Sequence, residues 1–119
     1  MCNIQPKEKT PAERALGLMG LAVRAGRVIF GTPMVCDAMR AGKKIWLVAE
    51  AKDSSENTHK RITDRCAYYG VTHTRLDVGT EALAHALGKS GDLAVVAITD
   101  RGMAQSILNL LCPSQGDPS

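Results

Sequence analysis

The turn at Gly31 and Thr32 is the part of the sequence whose residue types could bind an anion. A short apolar run leads into Gly31, and Thr32-Pro33 then begins a predicted helix. Free backbone N–H groups of Met34 and Val35, together with the helix dipole, would attract a phosphate there. Gly31 permits close approach to the backbone, and Thr32 could hydrogen-bond an anion instead of capping the helix. The alternative is a plain strand-to-helix connection with an ordinary threonine cap.

Basic residues flank this turn in the sequence. Arg27 precedes the predicted strand, Arg40 lies near the end of the predicted helix, and Lys43 and Lys44 follow that helix. We expect these four side chains to converge beside Gly31, because a site for a polyanion needs several cations that can contact phosphates together.

No residue pattern supports catalysis. The sequence contains no GxGxxG fingerprint, no GxxxxGK[ST] loop and no GxSxG elbow. His59, His73 and His85 are scattered and form no compact ligand set with the four cysteines, so a zinc site is not expected. The sequence therefore predicts a protein that is not an enzyme and that holds neither a metal nor a cofactor.

The cysteines and the hydropathy pattern predict the cellular compartment of the protein. Cys2, Cys36, Cys66 and Cys112 are widely spaced and include no CxxC pair. The sequence shows no secretory signal and no apolar stretch long enough to span a membrane. We therefore expect reduced thiols and a cytoplasmic protein.

Length and composition bound the possible functions. The chain has 119 residues, enough for one compact domain, and 45% of them are hydrophobic, which argues against a disordered polyelectrolyte. Aromatic residues make up only 3%, which disfavours RNA-binding sheets and grooves that stack bases. The net charge of +3 divides into +5 over residues 1–65 and −2 over residues 66–119, a weak indication of an acidic partner.

Periodicity predicts one α/β domain over residues 10–112, with disordered tails at 1–9 and 113–119. Five helical patterns alternate with four short apolar runs, and this order builds a sheet covered by helices on both faces. Thr10 and Glu13 form a capping box, and Thr80 is a candidate cap for the fourth helix. Trp46, within an apolar run, and Tyr69, near the end of the third helix, are expected to face the core.

Several short motifs, in their order along the chain, resemble one family. Gly31 is followed by Val35, Ala38-Met39-Arg40, Gly42 and Lys44, and then by an apolar strand that ends in Ala49-Glu50. Matches continue in four further segments, which are Asn57-Thr58, Thr63–Tyr69, Leu83–Lys89 and Val95–Gly102. Together they resemble the L-seven-Ae/L-thirty-e-like ribosomal proteins, in particular a bacterial YlxQ-type branch, over about residues 14–111.

The resemblance implies a three-layer α/β/α sandwich with a central mixed four-stranded sheet, and binding to kink-turn RNA. The implied RNA surface comprises the Gly31–Asp37 turn and helix start, Lys43 with Lys44, and the loop after Gly88, which contains Lys89 and Ser90. Expected partners are structured RNA, kinked or bulged and including ribosomal RNA, and ribosomal or translation-factor proteins. A monomer is expected.

Two hypotheses follow, because the sequence departs from the family pattern at three positions. RNA-binding relatives commonly have Asn-Glu where this chain has Pro33 and Met34, and lysine where it has Asp37. Proline and methionine side chains cannot read base edges by hydrogen bonds, and a carboxylate repels phosphate. The first hypothesis is RNA binding through shape and phosphate contacts. The second is a protein-interaction module on the same fold that has lost specific kink-turn recognition.

Overall fold

The structure, a computed structural model, describes residues 10–111. The predicted tails at 1–9 and 113–119, and residue 112, lie outside the described residues. Helices and strands alternate in the predicted order, which is α1 (Pro11–Arg24), β1 (Val28–Phe30), α2 (Thr32–Arg40), β2 (Leu47–Glu50), α3 (Glu56–Tyr69), β3 (His73–Arg75), α4 (Thr80–Ala86), β4 (Val95–Ile98) and α5 (Arg101–Leu111).

The four strands form one mixed sheet in the order β1-β4-β2-β3. β4 runs antiparallel to both β1 and β2, whereas β2 and β3 are parallel. The carboxyl ends of β1, β2 and β3 therefore meet the start of β4 at one end of the sheet, which we call the Gly31 end. We call the opposite end, where β1 begins and β4 finishes, the Arg27 end.

Two apolar clusters cover the two faces of the sheet. On one face α1, α4 and α5 pack around Met19, Leu83 and Ile107, all of which are fully buried. On the other face α2 and α3 contribute Val35 and Ile62 to a second cluster. Alternating β2 residues face opposite clusters, as the two-residue period of a strand requires. The predicted three-layer sandwich and its mixed sheet are confirmed.

Local sequence signals account for several helix ends. The Thr10 hydroxyl accepts the Glu13 N–H, and the Glu13 carboxylate accepts the Thr10 N–H, so the predicted capping box is present. Ser55 caps α3 through the Thr58 N–H, and Gly70 ends α3 with φ 70°, a left-handed conformation that favours glycine. Within residues 10–111, no helix is both long enough and apolar enough to cross a membrane.

Three local predictions are wrong. Trp46 lies before β2 and is 38% exposed, because the strand begins at Leu47 and the guanidinium carbon of Arg101 lies 5.6 Å from the indole centroid. Tyr69 is also exposed although it lies on the same helical face as Ile62, because it is the last residue of α3 and its ring contacts that of the exposed Tyr68, with the ring centroids 4.8 Å apart. Thr80 is not the cap of α4, since Gly79 occupies that position.

Candidate nucleic-acid interface

The Gly31 turn joins the sheet to the N-terminus of α2. Gly31 donates its N–H to the Val95 carbonyl at 2.9 Å and takes the N-cap position with φ 89° and ψ 146°. No side chain caps the helix. Val35 donates its N–H to the Gly31 carbonyl at 3.0 Å, so the prediction that this N–H is free is wrong. Pro33 has no N–H. The N–H groups of Thr32 and Met34 have no acceptor among residues 10–111.

Lys89 brings a cation to this turn. Its ammonium nitrogen lies 4.2 Å from the centroid of the Phe30 ring, and Phe30 directly precedes Gly31. The loop that carries Lys89 and Ser90 begins after α4, where the Lys89 N–H donates to the Ala84 carbonyl at 2.8 Å. Within the described residues no carboxylate lies within ion-pair distance of Lys89. The structure thus places Lys89 against the residue that precedes Gly31, and Ser90 follows Lys89 in the same loop.

Three of the predicted cations lie at the other end of the sheet. Arg27 precedes β1, and its carbonyl accepts the Thr99 N–H just after β4. Lys43 and Lys44 follow the C-terminus of α2, whose nine residues span roughly 13 Å from the Gly31 turn. The expected convergence of these cations beside Gly31 is wrong, because the length of β1 separates Arg27 from that residue and the length of α2 separates Lys43 and Lys44 from it.

Arg40 and Asp37 form an ion pair on the surface of α2. The Arg40 guanidinium donates to the Asp37 carboxylate one turn earlier in the helix, and both side chains are largely exposed. An exposed pair of this spacing contributes at most about 0.5 kcal/mol to stability. It does reduce the repulsion that Asp37 would exert on a phosphate, and it holds Arg40 at the C-terminal end of α2.

Lys52 and Arg75 are two cations at the Gly31 end that no sequence pattern indicated as part of a binding site. Lys52 follows β2, and its ammonium lies 3.7 Å from an Asp77 carboxylate oxygen. The Arg75 guanidinium donates to the Lys52 carbonyl at 2.9 Å. Asp53 lies in the same region and accepts the Thr80 N–H at 2.7 Å. Only the strand order brings these loops together, and no spacing along the sequence indicates it.

The side chains at the start of α2 form an apolar surface. Pro33 is exposed, and Met34 is 60% exposed. Neither offers a hydrogen-bond donor, and neither carries a charge. A ligand at this turn therefore meets polar groups of the backbone and an apolar rim, with Lys89 over the preceding Phe30 ring.

A second polar group lies at the Gly31 end, on the α2–α3 side of the sheet. The fully buried Glu50 carboxylate accepts hydrogen bonds from the Ser54 hydroxyl, from His59 Nδ1 at 2.8 Å and from His73 Nε2 at 2.7 Å. The interpretation of the histidines as scattered is therefore wrong for His59 and His73. Burial alone would raise the pKa of Glu50, but these hydrogen bonds outweigh burial and lower the pKa below its ordinary value.

Two cysteines lie in the cluster between the sheet, α2 and α3. Cys36 and Cys66 are both buried free thiols, as predicted, whereas Cys2 and Cys112 lie outside the described residues. Burial, with smaller contributions from the nearby Cys36 and Glu50, raises the pKa of the Cys66 thiol to about 11. Neither thiol is poised as a nucleophile, because the reactive form is the thiolate.

A mixed four-stranded sheet between two helical layers, with a strand-to-helix turn near the loop that carries Lys89, defines a class of small α/β/α sandwich proteins. The sequence profile of the "ribosomal protein L7Ae/L30e/S12e/Gadd45 family" matches residues 13–108. The chain belongs to this family, which confirms the resemblance seen in the sequence.

Curated relatives and solved structures agree with this assignment. The chain is 39% identical to the RNA-binding protein YlxQ of Bacillus subtilis, covering 79% of this chain and 91% of that protein. It is 34% identical to the RNA-binding protein YlxQ of Enterococcus faecium, covering 83% and 92%.

Two solved structures have similar folds. A Bacillus halodurans protein of unknown function superimposes with a TM-score of 0.75 at 28% identity, covering 82% of this chain and 96% of the other. The Giardia lamblia 15.5kD RNA binding protein superimposes with a TM-score of 0.72 at 19% identity, covering 87% and 90%, a likeness of fold.

Proposed function

We propose that this protein is a non-enzymatic RNA-binding protein that recognises a kinked or bulged RNA through the Gly31 surface. We define the Gly31 surface as residues 31–34 with Lys89 and Ser90. The observation that carries the proposal is the contact of Lys89 with Phe30, the residue before a turn whose Thr32 and Met34 N–H groups have no acceptor among the described residues. The names of the relatives, both RNA-binding proteins, support the same function.

The groups on the Gly31 surface determine how RNA would be held. The Thr32 and Met34 N–H groups and the Lys89 ammonium suit phosphate oxygens, and the Thr32 hydroxyl can donate as well. Pro33 and Met34 can pack against an unstacked base but cannot read its edge. Recognition then depends on RNA shape and on phosphate position, with less discrimination among base sequences than amide or carboxylate side chains would give.

The cations at the Arg27 end have a smaller part in this proposal. Arg27, Lys43 and Lys44 lie too far from the Gly31 turn to contact the same phosphates, and Arg40 is bound to Asp37. They are placed to contact a flanking helix of a longer RNA. Such contacts add affinity that falls with salt and carry no preference for a kink.

A gel-shift titration tests the proposal. The two RNAs are a kink-turn and an unkinked duplex of equal length and base composition, each titrated at several salt concentrations. We expect the kink-turn to bind at least about tenfold more tightly, with the preference kept as salt rises, because shape readout is not removed by screening. Equal, weak binding to both RNAs that is abolished by salt would contradict kink recognition.

The setting we infer is the translation apparatus in the cytoplasm, with ribosomal RNA as the RNA and with ribosomal or translation-factor proteins nearby. Membership in a family described by ribosomal proteins supports this setting. Sedimentation of the tagged protein in a sucrose gradient tests it: comigration with ribosomal particles that is lost on the Lys89→Ala change supports the setting, and migration only as free protein refutes it.

The exposed Met34 supports a second candidate function, a protein-interaction module on the same fold. Its 60% exposure beside Pro33 presents apolar surface where relatives of the RNA-binding type have polar groups. A defined ribosomal or translation-factor protein would then be captured by this chain after ribonuclease treatment, and the Met34→Glu change would abolish the capture. Loss of capture on ribonuclease treatment would favour the RNA-binding function instead.

A further inference from the structure

Glu50, His59 and His73 bring one carboxylate and two imidazoles together from three different elements. Glu50 ends β2, His59 lies in the first half of α3, and His73 begins β3. Their candidate ligand atoms all lie within 4.8 Å of one another. Within residues 10–111 this is the only such group of three or more histidine, cysteine or acidic side chains.

The parallel pairing of β2 with β3 places Glu50 and His73 on the same face of the sheet. His73 lies opposite Val48 in the ladder, and Val48 and Glu50 share a face of β2 because residues two apart in a strand point the same way. That face carries the α2–α3 cluster, which includes Val48. Ser55 begins α3 by capping it, and His59 lies one turn into the helix above Glu50.

One carboxylate oxygen faces both imidazoles. Oε1 of Glu50 lies 2.8 Å from His59 Nδ1 and 2.7 Å from His73 Nε2. The other oxygen, Oε2, accepts the Ser54 hydroxyl and also lies 2.9 Å from His59 Nδ1. Ser54 therefore helps to hold the carboxylate in one orientation, with Oε1 in contact with both ring nitrogens, as the outer hydrogen bonds of metal sites commonly do.

We propose that Glu50, His59 and His73 bind a zinc-class divalent transition-metal ion through Oε1, Nδ1 and Nε2. Imidazole and carboxylate together suit Zn²⁺, whereas Mg²⁺ and Ca²⁺ prefer sites made of oxygen atoms alone. Three protein ligands leave the fourth tetrahedral position for water, which is the arrangement of an open zinc site. The proposal is independent of RNA binding.

The observed spacing requires only small movements to accept the ion. Bonds of about 2.0–2.2 Å hold neighbouring ligands of a tetrahedral zinc about 3.4 Å apart. The oxygen-to-nitrogen distances of 2.7 and 2.8 Å must therefore open by less than about 1 Å. The His59 side chain is 37% exposed and that of His73 19% exposed, so an ion can enter from solvent and the rings can adjust.

The ion would replace hydrogen bonds with coordinate bonds at the same atoms. A carboxylate only accepts hydrogen bonds, so without the ion Nδ1 of His59 and Nε2 of His73 carry the ring protons. On binding, each of these nitrogens loses its proton, to the ring's other nitrogen or to solvent, and presents the free lone pair to the metal. The ion then links β2, α3 and β3.

Metal titration of the purified full-length chain tests this proposal. We expect the metal-free protein to bind one equivalent of Zn²⁺, and its thermal midpoint to rise by on the order of 10 °C at 100 times the dissociation constant. Mg²⁺ should produce no comparable rise. Co²⁺ serves as the spectroscopic probe, and we expect visible bands of a tetrahedral site without a thiolate-to-cobalt charge-transfer band.

Three glutamine variants distinguish this site from adventitious binding. His59→Gln and His73→Gln each keep an N–H donor for Glu50 but remove the imidazole ligand, and we expect each to weaken Zn²⁺ binding roughly tenfold or more. His85→Gln is the matched control, because His85 is exposed on α4 outside the cluster, and it should bind like the parent protein.

Far-ultraviolet circular dichroism of each metal-free variant establishes that it is folded before titration. If either His59→Gln or His73→Gln does not fold, the cobalt spectrum of the parent chain decides the question. Zn²⁺ binding that is unchanged in both variants would overturn the proposal. A cobalt spectrum dominated by thiolate bands, or no saturable Zn²⁺ binding by the parent protein, would also overturn it.

Discussion

The ammonium of Lys89 lies 4.2 Å from the centroid of the Phe30 ring, so the loop after α4 is joined to the residue that precedes Gly31. A cation over an aromatic face contributes about 0.5–1 kcal/mol at an exposed position. The contact therefore stabilises the position of the loop near the turn only weakly. The ammonium can leave the ring and bind a phosphate oxygen instead.

Removal of the Lys89 ammonium should weaken the preference for kink-turn RNA more than removal of both the Lys43 and Lys44 ammonium groups. We expect Lys89→Ala to reduce affinity for a kink-turn RNA about fivefold to tenfold and to reduce the salt slope by about one. The Lys43→Ala/Lys44→Ala double variant, which acts at the Arg27 end, should preserve the ratio of kink-turn to duplex affinity. Gel shifts at several salt concentrations measure both quantities. A larger loss of kink preference in the double variant than in Lys89→Ala would refute the assigned surface.

Alanine at Gly31 should destabilise the fold. Its φ of 89° with ψ of 146° is a conformation that side chains with a Cβ rarely adopt, and such residues cost about 1–3 kcal/mol. Gly17→Ala is the matched control, because Gly17 lies inside α1 with open space around a Cβ, and it should gain about 0.5–1 kcal/mol. Urea unfolding monitored by circular dichroism measures both free energies. Equal effects of the same sign would show that the Gly31 conformation is not required.

The buried Glu50 should contribute far more stability than an exposed carboxylate. Glu50→Gln removes the charge that accepts three hydrogen bonds and turns an N–H group toward one of their donors, so we expect a loss of about 2–4 kcal/mol. Asp77→Asn is the control: Asp77 is 91% exposed, its ion pair with Lys52 spans 3.7 Å, and its loss should cost less than about 0.5 kcal/mol. Thermal and urea unfolding of the metal-free proteins measure the free energy of unfolding of both variants. Similar losses in the two variants would contradict the larger contribution expected of Glu50.

The Cys66 thiol should make the fold less stable at alkaline pH. Burial raises the pKa of Cys66 from 9.0 to about 11, so the unfolded thiol ionises first as pH rises. The stabilising contribution is complete below pH 9 and is lost as the pH rises to 11, a loss of up to about 3 kcal/mol.

Urea unfolding between pH 8 and pH 11 measures this loss, since that range brackets both pKa values of Cys66. Other groups titrate in the same range, so the informative quantity is the difference between the parent protein and Cys66→Ala. The variant has a lower stability at pH 8 and should show the smaller decline above it. Parallel declines in the two proteins would mean that Cys66 ionises as easily in the folded state as in the unfolded one.

The architecture is predictable from the sequence because its elements carry strong local signals. The Thr10 capping box and the glycine at position 70 mark helix ends through chemistry within a few residues. The same reasoning fails for Trp46. An apolar run predicts burial, but only the structure shows that β2 starts at Leu47, after Trp46, and that the Arg101 guanidinium lies against the indole ring.

The sites depend on contacts between distant segments and were predicted only in part. Lys89 and Gly31 are 58 positions apart: the local chemistry of the turn indicated Gly31, whereas only the family resemblance indicated Lys89. The Glu50 cluster carried no signal, because nothing in the sequence indicates that β3 pairs in parallel with β2 and brings His73 to Glu50. The wrong expectation that Arg27 lies beside Gly31 was a local error, because the predicted strand between the two residues already holds them apart.

The burial of Glu50 constrains the order in which the chain folds. A carboxylate leaves water at an acceptable free energy only when its hydrogen-bond donors are already in place. Those donors come from the loop after β2, from α3 and from β3, so none of these segments alone can accommodate the charge. We therefore expect this corner of the sheet to close late and as a single step, after α3 has formed and after the slow parallel pairing of β2 with β3.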